Sequence, residues 1–436
     1  MNRSTHPSIA LLLCLFTSVG VSAQVANTKA APSATGDRLK LVVVLSRHGV
    51  RSPTWTLDRL NSYSALPWPA FSVDPGILTP RGYELLKRFG AYDRAAYASH
   101  GLLTAQGCAD VASTYIWADT DQRTLASGHA LAESLYPSCA LQVHSLAEGE
   151  NDPIFHPVVD NVAPAVADAA YSELSKRVAD LQTGNTNDLL AQLQRILLGC
   201  KPDADCKPAH APEMLLDGKT AVARGAGDKF VTLKGPIPLG SSFAEDLLLE
   251  YGDGMPMSSV GWGNVDEAEI GRLLALHSVY FGLIHQTPTL AKVEASNMVE
   301  YITRTLAQGV TGKPMEGAKG KPGDKLVVFV GHDTNIAGVA SLLGLHWHLD
   351  GRDEDTPPGT ELSFELWQSA DGTYSVRTKV AMQTLHQLRE LSPLTPADPP
   401  AAQTVVPAGC TANGNSCGWT EFLSLSKQAT GGDPAH

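Results

Sequence analysis

The stretch LKLVVVLSRHGVRSPT, residues Leu39–Thr54, joins a short apolar run to a cluster of basic side chains. Its apolar part, Leu41–Leu45, is rich in valine and bounded by polar residues, which favours a strand buried on both faces over a helix. Arg47, His48 and Arg51 follow this run. They therefore fall at the carboxyl end of the predicted strand, which is where open α/β sheets bind their ligands.

The stretch DKLVVFVGHDTNIAGVASLLG repeats this pattern late in the chain. Leu326–Val330 predicts a second buried strand, and His332 and Asp333 follow at its carboxyl end. Apolar residues then recur at helical spacing as far as Gly344, which is typical of a helix stop. Because two strands distant in sequence both lead into a histidine, we expect their ends to form one site.

Other segments predict helices around these strands. Thr79 and Pro80 are typical of an N-cap and the first residue of a helix that follows the first strand. The predicted fold is α/β, with a mostly parallel sheet flanked by helices and an inserted, mainly α-helical smaller domain. The predicted boundaries are residues 38–164 and 301–430 for the discontinuous α/β domain and residues 165–300 for the insertion.

The amino terminus has the pattern of a secretory signal peptide over residues 1–23. Arg3 precedes the apolar run Ile9–Phe16, and small residues lead to a cleavage site after Ala23. A buried N-terminal helix is the alternative. Beyond this run, the sequence has no segment near the roughly 20 apolar residues that a membrane span needs. We therefore expect a periplasmic or secreted protein without a membrane anchor.

Cysteine usage agrees with export. Removing Cys14 with the leader leaves six of the seven cysteines, and an even number in an exported chain predicts three disulfides. The six are Cys108, Cys139, Cys200, Cys206, Cys410 and Cys417. Pairing of sequence neighbours is the simplest of the possible connectivities. A zinc site is the alternative, but the sequence has no C-x-x-C pair to support it.

The formal net charge of −12 argues against a nucleic-acid partner, because such binding depends on basic surfaces. An anionic small molecule would instead need a local concentration of cations. If the two strand ends meet and Arg123 joins them, three guanidiniums surround the two histidines. Guanidinium forks match phosphate oxygens, so the cluster predicts a phosphoryl-binding site.

The same cluster suggests a reaction. A neutral His48 imidazole can attack phosphorus, and neighbouring guanidiniums should lower its pKa and keep it neutral. Asp333 is placed to protonate a leaving alcohol, a role that favours acidic pH. Each of these residues could instead be structural. His332 and Asp333 could also ligate a metal, although no third ligand has a matching spacing.

The motifs RHGVRSPT and HDTN resemble the two signatures of the histidine acid phosphatases, and LTPRGYELL, DTDQRT and DEDTPPGTELSFELW resemble blocks of the bacterial periplasmic phytase and acid phosphatase branch. The resemblance implies His48 as the phosphohistidine nucleophile and Asp333 as the proton donor. It implies phosphate binding by Arg47, Arg51, Arg123 and His332. It further implies that no metal or other cofactor is needed, and it supports disulfides Cys108–Cys139, Cys200–Cys206 and Cys410–Cys417. We also expect a monomer.

One departure concerns substrate choice. Phytate-specialised members of the branch tend to carry a lysine after the motif threonine, whereas Trp55 follows Thr54 here. An aromatic face suits a sugar or aryl group, although Trp55 could equally pack against the helical domain.

The sequence therefore predicts an exported acid phosphomonoesterase with phytate as the favoured substrate and a sugar phosphate as the alternative. A phosphoglycerate-mutase-like transferase and a non-catalytic phosphate-ester binding protein are the remaining hypotheses.

Overall fold

The computed structural model describes Met1 and residues 36–157, 162–181, 184–200, 212–411 and 415–432. The predicted signal peptide beyond Met1 lies outside these ranges. Residues Asp37–His436 cluster as one compact unit. Within the described ranges, none of the helices has the length and apolar character needed to cross a bilayer.

The strands are β1 (Arg38–Arg47), β2 (Thr114–Ala118), β3 (Val143–His144), β4 (Ala221–Arg224), β5 (Val231–Lys234), β6 (Leu326–Gly331), β7 (His348–Leu349), β8 (Arg352–Asp353), β9 (Glu361–Gln368), β10 (Tyr374–Met382), β11 (Ala401–Val405) and β12 (Cys417–Gly418). An eight-stranded sheet has the order β11-β10-β9-β1-β6-β2-β3, with β12 beside β10. Strands β1, β6, β2 and β3 are parallel, whereas β9 to β12 pair antiparallel. This sheet confirms the predicted α/β class.

The α-helices are α1 (Leu57–Asn61), α2 (Pro80–Ser99), α3 (Gln122–Leu135), α4 (Pro164–Asp180), α5 (Gly184–Leu197), α6 (Pro236–Gly252), α7 (Glu267–Leu273), α8 (Ala275–His285), α9 (Pro288–Thr311), α10 (Asp333–Leu343), α11 (Leu385–Glu390) and α12 (Trp419–Thr430). Two predicted helix signals are confirmed. The hydroxyl of Thr79 accepts a hydrogen bond from the Gly82 N–H at the start of α2. Gly344 ends α10 with a φ of 59°.

Strand β1 is buried on both faces, as its valine-rich sequence predicts. Val43 and Leu45 pack in a cluster with residues of α9, α10 and α12. Val42 and Val44 point to the opposite face and pack with residues of α2 and α3. This alternation follows from the two-residue period of a strand, and it fixes which residues reach the sheet's carboxyl edge.

The carboxyl ends of β1 and β6 lie side by side. Their register pairs Arg47 with Gly331, and the His48 N–H donates to the Gly331 carbonyl at 2.9 Å. The residues that follow the two strands, His48 and His332, are therefore neighbours in space. Parallel pairing thus brings together two motifs that lie far apart in the sequence.

Helices α4 to α8 form most of the predicted insertion, and their leucines, such as Leu193 and Leu247, are fully buried. The hairpin β4–β5 also lies in this region and was not predicted. The predicted boundary at residue 300 falls inside α9. The helical cluster includes Val50 and Leu85 from the α/β part. Its division into a separate domain stays a prediction.

The structure forms the disulfides Cys108–Cys139 and Cys410–Cys417, with Cα–Cα distances of 5.6 and 5.7 Å. These are ordinary separations for a disulfide. The predicted pair Cys200–Cys206 cannot be described, because Cys206 lies outside the described residues.

Candidate active site

The two motif histidines face each other at the carboxyl edge of the sheet. The ring centroids of His48 and His332 are 5.6 Å apart, with the rings nearly perpendicular. Both line a cavity of about 390 Å³, together with Arg51, Arg123 and Asp333. The structure therefore brings together the residues that the two motifs and the DTDQRT stretch supplied.

His48 is held in the form that a nucleophile needs. Its Nδ1 lies 2.9 Å from the Gly49 carbonyl oxygen, which can only accept, so the ring proton lies on Nδ1. Burial lowers the pKa of His48 well below its ordinary value, and the charges of Arg47 and Arg123 lower it further. The imidazole is therefore neutral, and Nε2 keeps its lone pair.

Arg47 is absent from the described lining of the cavity. Its side chain is buried and donates to the Thr356 carbonyl. It also forms ion pairs with Glu245 and, at 2.7 Å, with Asp333. The Arg47 guanidinium thus links Asp333, the predicted proton donor, to Glu245.

Glu245 is a site residue that the sequence analysis missed. This carboxylate from α6 pairs with Arg47 through one oxygen and with Arg51, at 2.9 Å, through the other. Burial alone would raise the pKa of Glu245, but Arg51 and Arg47 hold it below its ordinary range. Two of the predicted phosphate-binding guanidiniums therefore share one carboxylate. An acidic pair inside the apolar run SSFAEDLLLE was the available sequence signal.

Asp333 begins α10 and is held as a carboxylate. Its Oδ1 accepts the Thr334 N–H at 2.8 Å, and its Oδ2 pairs with Arg47. Burial and the charge of Glu245 would raise the pKa of Asp333, but Arg47, His277 and His332 together leave the pKa below its ordinary value. To act as an acid, Asp333 must therefore gain a proton when the local charge changes.

His332 is oriented by Asp119, another residue that the sequence analysis missed. The Asp119 Oδ2 lies 2.6 Å from His332 Nε2, and an Arg123 nitrogen lies 3.4 Å from Nδ1. Because arginine only donates, the ring proton lies on Nε2 and is donated to Asp119. Asp119 directly follows β2. The same strand-end rule that found His48 could have found it.

Three side chains near His332 have the types that bind transition metals. Single ligand atoms of Asp119, His156 and His332 lie within 4.8 Å of one another. Asp119 Oδ2 already forms hydrogen bonds with both imidazoles, at 2.9 Å to His156 and 2.6 Å to His332. A metal would have to replace these hydrogen bonds. Glu245, His277 and Asp333 make a second such group.

The two residues predicted to govern substrate choice lie in different places. Thr54 lines the cavity. Trp55 belongs to the helical cluster, where its ring contacts Phe243 edge-on at 5.6 Å and the Arg59 guanidinium lies 3.5 Å from its centroid. Trp55 therefore packs against the helical layer, which was the alternative to a substrate-facing ring.

The comparisons with known proteins agree with this geometry. The family model for the histidine phosphatase superfamily, branch 2, matches residues 38–381. The chain belongs to this superfamily. It is 34% identical over 383 residues to phytase AppA of Escherichia coli K12, covering 86% of this chain and 87% of the relative. It is 27% identical to a glucose-1-phosphatase of Salmonella typhimurium, covering 90% and 93% of the two chains.

Solved structures of bacterial phytases are similar along nearly the whole chain. The Hafnia alvei phytase in complex with tartrate superposes with a TM-score of 0.81 at 30% identity, covering 93% of this chain and all of that one. The Klebsiella sp. ASR1 phytase gives a TM-score of 0.75 at 26% identity, covering 90% and 96%. This histidine phosphatase is accordingly an acid phosphatase, a phosphoric monoester hydrolase.

Proposed function

We propose that the protein hydrolyses phosphate monoesters through a covalent phosphohistidine at His48, with phytate as the favoured substrate. The observation that carries this proposal is a neutral His48 with an available Nε2, facing His332 in a cavity walled by Arg51 and Arg123. A neutral imidazole beside guanidiniums suits attack on a phosphoryl group.

The reaction proceeds in two displacements. His48 Nε2 attacks phosphorus, the bond from phosphorus to the ester oxygen breaks, and Asp333 gives its proton to the departing alcohol. Water then attacks the phosphohistidine and gives a proton to Asp333, the P–N bond breaks, and inorganic phosphate leaves. Arg51 and Arg123 balance charge on the equatorial oxygens in both steps. His332 is fixed by Asp119 and binds the same group through Nδ1, which must gain a proton and give up its contact with Arg123 to donate to a phosphate oxygen.

Substrate binding favours the protonated form of Asp333. In the structure, Arg47 stabilises the Asp333 carboxylate. A phosphoryl group that carries negative charge into the cavity offsets Arg47 and favours protonation of Asp333. Arg47 Nε has no hydrogen-bond partner among the described residues, so a donor remains on this guanidinium without loss of either carboxylate partner. Protonation of Asp333 is easier at acidic pH.

A sugar phosphate is the alternative substrate, because a glucose-1-phosphatase is among the similar proteins. A panel of phytate, glucose 1-phosphate and 4-nitrophenyl phosphate near pH 5 tests both substrates. We expect turnover that vanadate inhibits and that a chelator leaves unchanged, since this mechanism gives no step to a metal. Absence of turnover on every ester would refute the proposal.

We further propose an exported monomer that acts in the periplasm or after secretion and binds neither nucleic acid nor membranes. The leader sequence, the two disulfides and the net charge of −12 support this proposal. Fractionation of cells for the activity, followed by size-exclusion chromatography with light scattering, tests it.

A further inference from the structure

The cavity has two chemically different walls. The strand-end wall carries the phosphoryl-binding groups around His48 and His332. The helical wall comes from α8 and α9 and carries Tyr280, Ile284, His285 and Glu294. The helical wall has no assigned part in the two displacements, yet the alcohol portion of a substrate must occupy the remaining cavity.

Glu294 is the unexpected member of the helical wall. Among the described residues that line the cavity, the acidic side chains are Asp333 and Glu294. The Oε2 of Glu294 accepts a hydrogen bond from His285 Nδ1 at 2.8 Å, and its side chain is 22% exposed. One carboxylate oxygen is thus anchored, while the group remains accessible from the cavity.

Tyr280 also lines the cavity and is influenced by the charges of both Glu294 and Asp333. Burial raises the pKa of Tyr280 to about 12, with contributions from the charges of Glu294 and Asp333. The phenol therefore lies within the influence of both carboxylates and stays protonated. The helical wall offers a hydroxyl donor and a carboxylate acceptor, a combination that suits a hydroxylated alcohol.

We propose that Glu294 is a specificity-determining residue that selects hydroxyl groups, and disfavours further phosphates, on the leaving alcohol. Glu294 thereby raises the relative rate for monophosphate esters of sugars and other polyols, and phytate, although still a substrate, is hydrolysed more slowly than it would be with a neutral side chain at this position. The proposal rests on the proposed phosphohistidine function, since it concerns the alcohol that leaves the same site.

Electrostatics sets the direction and size of this effect. A carboxylate accepts hydrogen bonds from hydroxyl groups, whereas it repels a phosphate that carries one to two negative charges. Lys229 also lines the cavity and attracts such a phosphate, so phytate is disfavoured rather than excluded. Because Glu294 is accessible to water in the cavity, the effective dielectric constant approaches the bulk value of about 80, and removing one charge about 4 Å from a phosphate with one to two charges changes a rate constant by roughly tenfold.

The test is a charge series at this position. Glu294→Gln keeps the shape and the hydrogen-bonding capacity of the side chain, and Glu294→Lys reverses its charge. We expect the ratio of kcat/KM for phytate to kcat/KM for glucose 1-phosphate to rise about tenfold in Glu294→Gln and further in Glu294→Lys. Glu300→Gln is the matched control, because Glu300 lies on the same helix and pairs with Arg304 rather than lining the cavity.

The outcomes separate this inference from the proposed function. If the wild-type enzyme hydrolyses neither ester, the phosphohistidine function fails. If it hydrolyses both, and the charge series leaves their ratio within twofold or slows both esters in equal proportion, Glu294 has only a structural role and the inference is wrong. A ratio that follows the charge in the order Glu, Gln, Lys supports it.

Discussion

The strand-end wall and the helical wall of the cavity differ in both chemistry and origin. At the strand ends, His48 and His332 are set by the register between β1 and β6. On the helical side, Glu245 comes from the middle of α6 and Glu294 from the second turn of α9. His48 and His332 thus come from the sheet edge, whereas Glu245 and Glu294 come from packed helices.

The residues that carry out the reaction therefore lie at the strand ends, and the residues that affect selectivity or stability lie on the helices. A sheet edge is rigid, which suits groups that must keep a fixed distance to phosphorus. Helical residues reach the cavity through packing, so their identities can change without disturbing the strands. We therefore expect substitutions at the strand ends to abolish the reaction, and substitutions on the helical side to alter selectivity or stability.

The largest effect should follow His48→Ala. Removing the nucleophile should lower kcat by at least ~10⁴-fold on every ester, because no covalent intermediate can form. Steady-state kinetics on the substrate panel measure this loss. His100→Ala is a suitable control, since His100 contacts Trp367 and not the cavity. Residual turnover within tenfold of the wild type would mean that another group attacks phosphorus.

Asp333→Asn should have the next largest effect, and its size should depend on the leaving group. Loss of the proton donor should slow esters of sugars and inositols about 10²- to 10³-fold, and 4-nitrophenyl phosphate much less, because nitrophenolate leaves without a proton. The measurement is kcat for each leaving group. Equal losses would assign Asp333 to phosphate binding or structure instead.

Asp119→Asn tests positioning at the strand-end wall. An amide cannot hold the His332 Nε2 proton as a carboxylate does, so we expect kcat to fall about 10- to 100-fold with a smaller change in KM. Asp168→Asn is the matched control, because Asp168 is exposed, pairs with Arg224 at 2.7 Å and does not line the cavity. If both variants lose activity alike, Asp119 acts through general charge and not through His332.

The smallest effect on activity, but a clear one on stability, should come from Asp246→Asn on the helical side. Burial raises the pKa of Asp246 from 3.8 to about 8, helped by Glu245. The folded state therefore binds more protons than the unfolded state between about pH 4 and pH 8, and the free energy of unfolding falls as pH rises through this window. Because an asparagine side chain does not ionise, Asp246→Asn should not show this fall in the free energy of unfolding.

Urea unfolding at both ends of the window measures the effect. We expect Asp246→Asn and the wild type to be similar at pH 4, and the variant to be more stable by about 2–4 kcal/mol at pH 8. Asp180→Asn, at an exposed position, should change neither value. A wild-type stability that rises from pH 4 to pH 8 through Asp246 would contradict the raised pKa.

The positions of His48, His332 and Asp333 at the strand ends could be predicted from the sequence because the pattern that predicts them is local. A valine-rich run followed by charged residues predicts a strand and its functional end, and this rule placed His48, His332 and Asp333 correctly relative to the sheet. The same rule applies to Asp119, which directly follows β2. The helix N-cap at Thr79 could likewise be predicted from the adjacent Pro80.

The helical wall could not be predicted, because it depends on how helices pack. The rotation of α6 and α9 against their neighbours decides whether Glu245 reaches Arg47 and Arg51 and whether Glu294 lines the cavity. An acidic pair within an apolar run indicates that α6 is unusual, but it does not give the direction in which the helix is rotated. Trp55 shows the same limit: it adjoins the motif in sequence, yet its ring packs on Phe243. The short strands of the β4–β5 hairpin gave too little periodic signal.

The most direct measurement is the location of the phosphoryl group during turnover. The enzyme is mixed with a substrate that carries a labelled phosphate, denatured after milliseconds under conditions that preserve phosphohistidine, digested and examined by mass spectrometry. We expect the label on His48 in the wild type and none in His48→Ala. Turnover without a labelled peptide, or with the label on another residue, would contradict a reaction that begins at the end of β1.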